Sequence, residues 1–264
     1  MTLHTYRTDG SDDGGLPVVL LHGFPLDHRM WDAAAAALPG GRAVHAVDLP
    51  GTPGSADDLP EPGLEASADL VAADLRAAGV DRAVVAGLSM GGYVALALAE
   101  RHPELVAALG LVDTKSTADT DEARANRLRV AAAVEDGRTV EPVRPMATAL
   151  LGESSRGARA HLVDVLGDWI DEQPPAGVAW SQRAMAARPD RTDVLRAFAG
   201  PVQVVVGDED TVTPVEGAEH MVAAAQDAQL VVVARSGHMS ALEDPAAVAA
   251  ALGDLAQRAD AATA

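Results

Sequence analysis

Short runs of consecutive apolar residues alternate along this chain with amphipathic segments, in which apolar residues recur every three or four positions. Continuous apolar runs are typical of parallel strands, because helices cover both faces of the sheet. The alternation predicts an α/β fold with a mostly parallel central sheet flanked by helices. We interpret six runs as strands: Val18–Leu21, Ala43–Val47, Ala83–Ala86, Ala107–Val112, Val202–Val206 and Leu230–Val233.

The alternation is interrupted between the fourth and fifth of these strands, where all patterns are helical. This predicts a core domain of residues 1–113 and 190–264, with a helical cap inserted at residues 114–189. Residues past Arg258 are expected to fray at the chain end. The helices predicted in the cap are Asp121–Val134, Pro145–Leu151, Arg156–Ile170 and Pro174–Ala187, and those around the sheet are Trp31–Leu38, Glu65–Ala78, Gly92–Ala99, Pro214–Ala225 and Pro245–Gln257.

The turn Gly87-Leu88-Ser89-Met90-Gly91 carries the strongest chemical signal, because it joins a predicted strand to a predicted helix. A serine on such a turn, with a glycine two residues away on either side, is the pattern of a nucleophile elbow. Larger side chains at the glycine positions would clash in so tight a turn. The turn also places the amide of Met90 at a helix N-terminus, where it can stabilise an oxyanion.

A serine nucleophile needs a base that takes up its proton, and His238 is the best placed of eight histidines. It follows the last predicted strand, and parallel strands release their carboxyl-end loops on the side that carries Ser89. His22 also ends a strand there, but it precedes Gly23-Phe24 and we expect it to shape that turn. Surface or packing roles are expected for the other six: His4, His28, His45, His102, His161 and His220.

The base needs an acid that holds its tautomer and stabilises its charged form. Asp210 follows the strand that ends at Val206 and is our choice, with Asp208 and Asp113 as alternatives on the same edge of the sheet. The order Ser89, Asp210, His238 along the chain favours Asp210, because it is the order that accompanies this type of elbow.

A second oxyanion donor is expected in the loop after the first predicted strand, His22-Gly23-Phe24-Pro25. The amide of Phe24 is the predicted partner of the Met90 amide, because Gly23 allows the main chain to approach closely. Pro25 has no N–H and cannot donate.

With these motifs the chain resembles the α/β-hydrolase superfamily, in the branch with a helical cap after the sixth strand. Only about fifteen residues precede the first long strand, so the resemblance implies abbreviated opening strands. In the family the positions of Asp48 and Glu243 have structural roles. The motifs that carry the resemblance are His22-Gly23-Phe24-Pro25, Asp48-Leu49-Pro50-Gly51, Gly87-Leu88-Ser89-Met90-Gly91-Gly92, Gly207-Asp208-Glu209-Asp210 with Pro214, and Gly237-His238 followed by Glu243-Asp244-Pro245.

The resemblance implies a serine hydrolase that cleaves small to medium carboxylic esters through an acyl-enzyme, without a cofactor. The segment from His22 to Trp31 is similar to bacterial carboxylesterases, 3-oxoadipate enol-lactonases and cofactor-free haloperoxidases. Lactone hydrolysis and perhydrolysis are therefore alternatives, and a ligand-binding receptor on the same fold is an alternative of another class. Serine at the elbow excludes haloalkane dehalogenases and epoxide hydrolases, which need a carboxylate there. No His-Glu-x-x-His spacing occurs, so no metal is expected.

The cap is expected to select the substrate, which we take to be a small-molecule ester or lactone. Four arginines of the cap would favour an anionic substrate if one of them pointed inward: Arg144, Arg156, Arg159 and Arg183. The residues predicted to line the pocket are Phe24, Met146, Trp169, Trp180 and Met185.

Composition narrows the classes of partner. The net charge of −19 argues against nucleic acid and anionic membrane surfaces. The chain has no cysteine, its first six residues show no secretory pattern, and no stretch approaches the ~20 apolar residues of a membrane span. We therefore expect a cytoplasmic protein that binds neither nucleic acid nor membranes, and the sequence leaves the oligomeric state open.

Overall fold

A computed structural model describes residues 2–7, 15–56 and 59–263 of the chain. Within these residues seven strands form one sheet in the order β1-β3-β2-β4-β5-β6-β7. All neighbours are parallel except the edge pair β1–β3, which is antiparallel. The strands are β1 (Thr2–Arg7), β2 (Val18–Leu21), β3 (Val44–Asp48), β4 (Ala83–Leu88), β5 (Val106–Val112), β6 (Val202–Gly207) and β7 (Ala228–Val233).

Burial explains why the central strands can be predicted from the sequence. Every residue of β2 to β6 is buried, which matches their continuous apolar runs. All six predicted strands are present, so the predicted mostly parallel sheet is confirmed. Strand β1 is half-exposed and largely polar, and its sequence lacks the continuous apolar signal.

Helices cover both faces of the sheet. Helices α1 and α12 pack on each other on one face, while α2 packs on α3 on the other. No helix in the described ranges is both long and apolar enough to cross a membrane. The helices are α1 (Asp32–Ala37), α2 (Leu64–Ala77), α3 (Met90–Arg101), α4 (Asp121–Gly137), α5 (Met146–Ala149), α6 (Glu153–Ala158), α7 (His161–Asp171), α8 (Pro175–Ala187), α9 (Thr192–Ala197), α10 (Val215–Ala224), α11 (Ser240–Glu243) and α12 (Pro245–Thr263), with short 3₁₀ turns at His28–Trp31 and Pro103–Leu105.

The segment between β5 and β6 contains helices α4 to α9 and no strand among its residues, all of which are described. The helix predicted over Arg156–Ile170 is wrong as a single element, because α6 ends at Ala158 and α7 begins at His161. The chain turns at Arg159, whose guanidinium donates to the carbonyl oxygen of Glu243 and so ties the break to the core. The cap boundaries at residues 114 and 189 stay a prediction.

The expected frayed tail past Arg258 is wrong, because α12 continues to Thr263. Arg258 donates to the Asp227 carboxylate at 2.8 Å, and Asp260 accepts from the amide of Leu16 at 2.8 Å. Ala259 is fully buried. These contacts hold the last turns on the body of the protein, whereas a helix end without them would fray.

Candidate active site

The elbow is built as its glycines require. Ser89 has φ 52° and ψ −111° between β4 and α3, a backbone conformation that L-residues adopt rarely. A Cβ atom at Gly87 would overlap the carbonyl of Gly91, and one at Gly91 would overlap the carbonyl of Leu21. The hydroxyl of Thr114 donates to the carbonyl oxygen of Ser89 at 2.8 Å. The strained turn is thus supported by close packing on both sides.

Ser89, His238 and Asp210 lie in one hydrogen-bonded chain. His238 Nε2 is 2.8 Å from Ser89 Oγ, and His238 Nδ1 is 2.8 Å from Asp210 Oδ2. Asp210 also accepts from the amides of Val212 and Thr213 and from the Thr213 hydroxyl. Asp210 is therefore the acid that contacts the histidine, as the order of residues along the chain favoured.

The opposite charges of His238 and Asp210 stabilise each other. Burial favours the neutral forms of His238 and Asp210, but their mutual hydrogen bond and charges outweigh it. The pKa of His238 is therefore raised and the pKa of Asp210 is lowered. The pair is suited to hold a positive charge on the imidazole next to Ser89.

The two alternative acids lie elsewhere. Asp208 is exposed, and its carboxylate faces the amide of Ser236 at 3.4 Å. Asp113 is fully buried and accepts hydrogen bonds from Gly207 and Ser240. Burial, reinforced by the negative charge of Asp210, raises the pKa of Asp113 to about 7.

The loop after β2 lies directly against the elbow. A Cβ atom at Gly23 would come within 3.5 Å of Ser89 Cβ. His22 holds this loop, because its Nε2 accepts from the amide of Leu49 at 2.9 Å while its Nδ1 is 3.0 Å from Gly23 O. Burial lowers the pKa of His22, which keeps it neutral and able to accept. The expected role of His22 in this turn agrees with these contacts.

The two amides predicted to bind an oxyanion flank this contact. Among the described residues, neither Phe24 N–H nor Met90 N–H donates a hydrogen bond to the protein. Free amides beside a serine are the groups that an oxyanion requires. The assignment of Phe24 and Met90 to this role stays a prediction.

Glu243 connects the segment between β5 and β6, where the cap is predicted, to the loop that carries His238. Its buried carboxylate accepts from the amides of Gly237 at 2.9 Å and Met239 at 3.2 Å, and from the cap residue Gly152 at 3.0 Å. The amide of His238 itself donates to a cap carbonyl, Leu150 O, at 2.9 Å. The loop that carries the histidine is therefore hydrogen-bonded to the segment between β5 and β6.

A small cavity of about 10 Å³ separates the Phe24 loop from helix α8. This volume is at the limit for one water molecule and is far below that of an acyl group. The lining residues are His22, Phe24, Pro25, Leu26, Pro50, Gly51, Thr52, Met90, Gln173, Gly177, Val178 and Ser181.

Of the predicted pocket residues, only Phe24 lines this cavity. The indole N–H of Trp180 donates to Pro60 O at 2.6 Å, and Trp169 lies under the Arg29 guanidinium. Met146 packs half-buried against the core, and the sulfur of Met185 contacts Arg127 at 3.3 Å. The roles of these four residues in substrate binding stay predictions.

The four arginines considered for an anionic substrate all make contacts elsewhere. Arg144 pairs with Asp171 and Arg183 with Glu135, whereas Arg156 and Arg159 donate to main-chain carbonyls. A different group of cations, which the sequence motifs do not mark, surrounds Asp119: Lys115, Arg127 and Arg188. The signal that could have found it is that Lys115 is the only lysine of the chain.

His4, His28 and Asp48 form a cluster of metal-ligand type at the β1 edge. The two imidazole rings stack at 3.4 Å with an interplanar angle of 10°, and both face Asp48. Imidazole lone pairs lie in the ring plane, so parallel stacked rings do not direct them at one ion. The cluster fits a packing role that holds β1 and the 3₁₀ turn on β3.

Comparisons with known proteins agree with this architecture. A family model described as the alpha/beta hydrolase family matches residues 18–251. The chain is 30% identical over 239 residues to a pimeloyl-[acyl-carrier protein] methyl ester esterase of Aromatoleum aromaticum, which covers 86% of this chain and 93% of that protein. It is also 32% identical, over 88% of its length, to the dihydrolipoyllysine-residue acetyltransferase component of an acetoin cleaving system from Pseudomonas putida. The chain spans only 60% of that protein.

A solved structure supports the same relationship. The thermophilic esterase of Thermogutta terrifontis, solved with malate bound, superposes with a TM-score of 0.90 at 34% identity. The match covers 98% of this chain and 93% of the esterase. The matched family model, the relative of 30% identity and the superposed esterase lead to one conclusion: this chain belongs to the alpha/beta hydrolase family and is an esterase-type hydrolase.

Proposed function

We propose that the protein hydrolyses carboxylic esters of small to medium size through an acyl-enzyme formed on Ser89. The observation that carries this proposal is the continuous hydrogen-bond chain from Ser89 Oγ through His238 to Asp210. A serine activated in this way is the nucleophile of acyl transfer. The similarity to the Thermogutta esterase over almost the whole chain supports the same class of substrate.

In this mechanism His238 Nε2 accepts the proton of Ser89 while Oγ attacks the ester carbonyl carbon. The amides of Phe24 and Met90 bind the oxyanion of the tetrahedral intermediate, and each such donor is worth about 10²–10³ in turnover. Asp210 stabilises the imidazolium, which then protonates the leaving alcohol. His238 next deprotonates a water molecule that attacks the acyl-enzyme, and the imidazolium returns this proton to Ser89 Oγ as the acid is released.

The test combines burst kinetics with protein mass. Wild type, Ser89→Ala and the control Ser67→Ala, which removes a buried serine of α2, are mixed with p-nitrophenyl acetate and butyrate. Each protein is also treated with a fluorophosphonate, and its intact mass is measured by mass spectrometry. We expect a burst and a single adduct in wild type and Ser67→Ala, and neither in Ser89→Ala. Turnover that survives in Ser89→Ala, or a wild type without burst and adduct, would overturn the proposal.

The same acyl-enzyme would form from a lactone, and peroxide in place of water would make the enzyme a perhydrolase. The solved enol-lactonase and bromoperoxidase that resemble this chain are less than 25% identical to it and share the fold alone. Ester hydrolysis is therefore the function that we propose. A kcat/KM for enol-lactones orders of magnitude above that for aryl esters would replace it.

A further inference from the structure

Lys115 is the only lysine in a chain that otherwise carries 19 arginines. It follows Thr114, whose hydroxyl donates to the carbonyl oxygen of Ser89 at 2.8 Å. Adjacent Cα atoms are about 3.8 Å apart, so Lys115 leaves the main chain beside the elbow. The single primary amine of any side chain in this protein is thus attached next to the proposed nucleophile.

Lys115 belongs to a cationic cluster, which we define as Lys115, Arg127 and Arg188 around the carboxylate of Asp119. The nitrogen–oxygen distances to Asp119 are 3.4 Å from Lys115, 2.6 Å from Arg127 and 2.9 Å from Arg188. Three positive charges therefore face one negative charge. This local excess is notable because the protein as a whole has a net charge of −19.

The members of the cationic cluster differ in how many of their N–H groups are free to bind a ligand. The side chain of Arg188 is 2% exposed, and its N–H groups donate to Asp119, Thr117 O and Met185 O. The side chains of Lys115 and Arg127 are 28% and 23% exposed. Among the described residues, the only partner of the Lys115 ammonium is Asp119, at a long 3.4 Å. Burial and the charge of Arg188 lower the pKa of Lys115, a cost that a bound anion would offset.

Helix α8 links the cationic cluster to the cavity at the elbow. Gly177, Val178 and Ser181 of α8 line that cavity, while Met185 contacts Arg127 at 3.3 Å. Seven residues separate Val178 from Met185, which is about 10 Å along a helix. On the other side, the Arg188 guanidinium lies 4.0 Å above the ring of Tyr93, one helical turn after Ser89. The cluster therefore contacts α8 about 10 Å along the helix axis from the residue that lines the cavity.

We propose that Lys115 and Arg127 form an anion-binding subsite that holds the carboxylate at the far end of the acyl chain of a dicarboxylic half-ester. The inference deepens the proposed function and rests on it for the reaction. A flexible ammonium and a partly free guanidinium provide the donors for a carboxylate, and Asp119 keeps the two cations together. Neutral esters of equal length lack the group that this subsite recognises.

The kinetic test compares two matched substrates, the 4-nitrophenyl half-ester of suberic acid and its terminal carboxamide. Variants are Lys115→Gln, Lys115→Arg, Arg127→Gln and the control Arg183→Gln, which removes a surface cation of the cap. We expect the ratio of kcat/KM, carboxylate over carboxamide, to fall about ten-fold or more in Lys115→Gln and Arg127→Gln, mainly through KM. Lys115→Arg should keep most of it, and Arg183→Gln all of it. A ratio that is unchanged in both Gln variants would overturn the subsite.

A binding test does not depend on turnover. Reductive methylation with ¹³C-formaldehyde keeps the positive charge and gives one lysine side-chain signal, because the chain has one lysine. We expect suberate to shift this signal saturably and suberamide to leave it unchanged. No shift with suberate, or an equal shift with inorganic phosphate, would overturn the carboxylate subsite. A suberate shift in a protein without Ser89-dependent esterase activity would retain the subsite and reject the proposed function.

Discussion

Asp113 accepts two hydrogen bonds from Ser240, one from the amide at 3.0 Å and one from the hydroxyl at 2.6 Å. Its other carboxylate oxygen accepts from the amide of Gly207 at 3.0 Å. Gly207 ends β6 just before the loop that carries Asp210, and Ser240 follows the loop that carries His238. Asp113 is thus a positioning residue that joins the two loops from below, without touching the histidine in this structure.

Replacing Asp113 with Asn tests this link. At pH 8, above the pKa of about 7, ionised Asp113 accepts at both oxygens, whereas an amide accepts at only one, so one N–H group of Gly207 or Ser240 loses its partner in a fully buried place. We expect a loss of about 1–3 kcal/mol in the free energy of unfolding. Chemical denaturation of Asp113→Asn and of the exposed control Asp208→Asn measures it. Equal stability of the two variants would contradict the positioning role.

The same variant has a predicted pH dependence. With a pKa of about 7 against an ordinary value of 3.8, folded Asp113 holds a proton that the unfolded chain has already released. Wild type therefore loses stability from this group as the pH rises from about 4 to 7. Asn does not titrate, so the Tm difference between wild type and Asp113→Asn should shrink over that window. A difference that grows with pH would contradict the raised pKa.

The pH profile of ester hydrolysis should reflect His238. The imidazole must be neutral to accept the Ser89 proton, and its pKa is raised above the ordinary 6.5. We therefore expect kcat/KM to fall as the pH drops through a value above 6.5. In Asp210→Asn the raising interaction is lost, so this acid limb should move to lower pH while kcat falls about 10⁴-fold. An acid limb that stays in place in Asp210→Asn would exclude Asp210 as the partner.

Contact between cap and core at Gly177 predicts a steric effect. A Cβ atom at Gly177 in α8 would overlap the main chain of Gly51, which itself has φ +97°. We expect Gly177→Ala to lower the free energy of unfolding by about 1–3 kcal/mol, because the two backbones must separate. Gly167→Ala in α7 is the matched control, since its Cβ would meet open space and alanine favours a helix by up to about 1 kcal/mol. Thermal unfolding of both variants should therefore shift in opposite directions.

Glu243→Gln should weaken the connection between the cap and His238. Glutamine can keep the hydrogen bonds of one oxygen, to Gly237 and Met239, but its NH₂ group would face the amide of Gly152. We expect a loss of about 1–3 kcal/mol in stability together with a lower kcat. Stopped-flow ester hydrolysis and denaturation of Glu243→Gln are compared with those of Glu219→Gln, an exposed glutamate of α10. A kcat equal to that of the control would show that the cap does not position the histidine.

Prediction from the sequence succeeded where the local pattern is dictated by burial on both sides. The central strands are such places, because only apolar residues fit a strand that is buried on both faces. The elbow glycines are another, because the turn has no room for a Cβ atom. The prediction of helix ends failed where contacts between residues far apart in the sequence decide them. The break at Arg159 and the ordered end of α12 depend on partners more than 80 residues away in the sequence, Glu243 for the first and Leu16 for the second. No local periodicity encodes those partners.

The sequence by itself determined the fold class, the position of the elbow serine and the side of the sheet on which His238 and Asp210 lie, since parallel strands and a glycine-bounded turn leave little freedom. Only the tertiary structure decided which acid contacts His238, because Asp113 and Asp210 both end strands on that edge. It also placed Lys115 and Arg127 beside Asp119 and gave the four arginines considered at first other partners. His238 and Asp210 are 28 positions apart in the sequence, so the geometry of their contact exists only after the chain has folded.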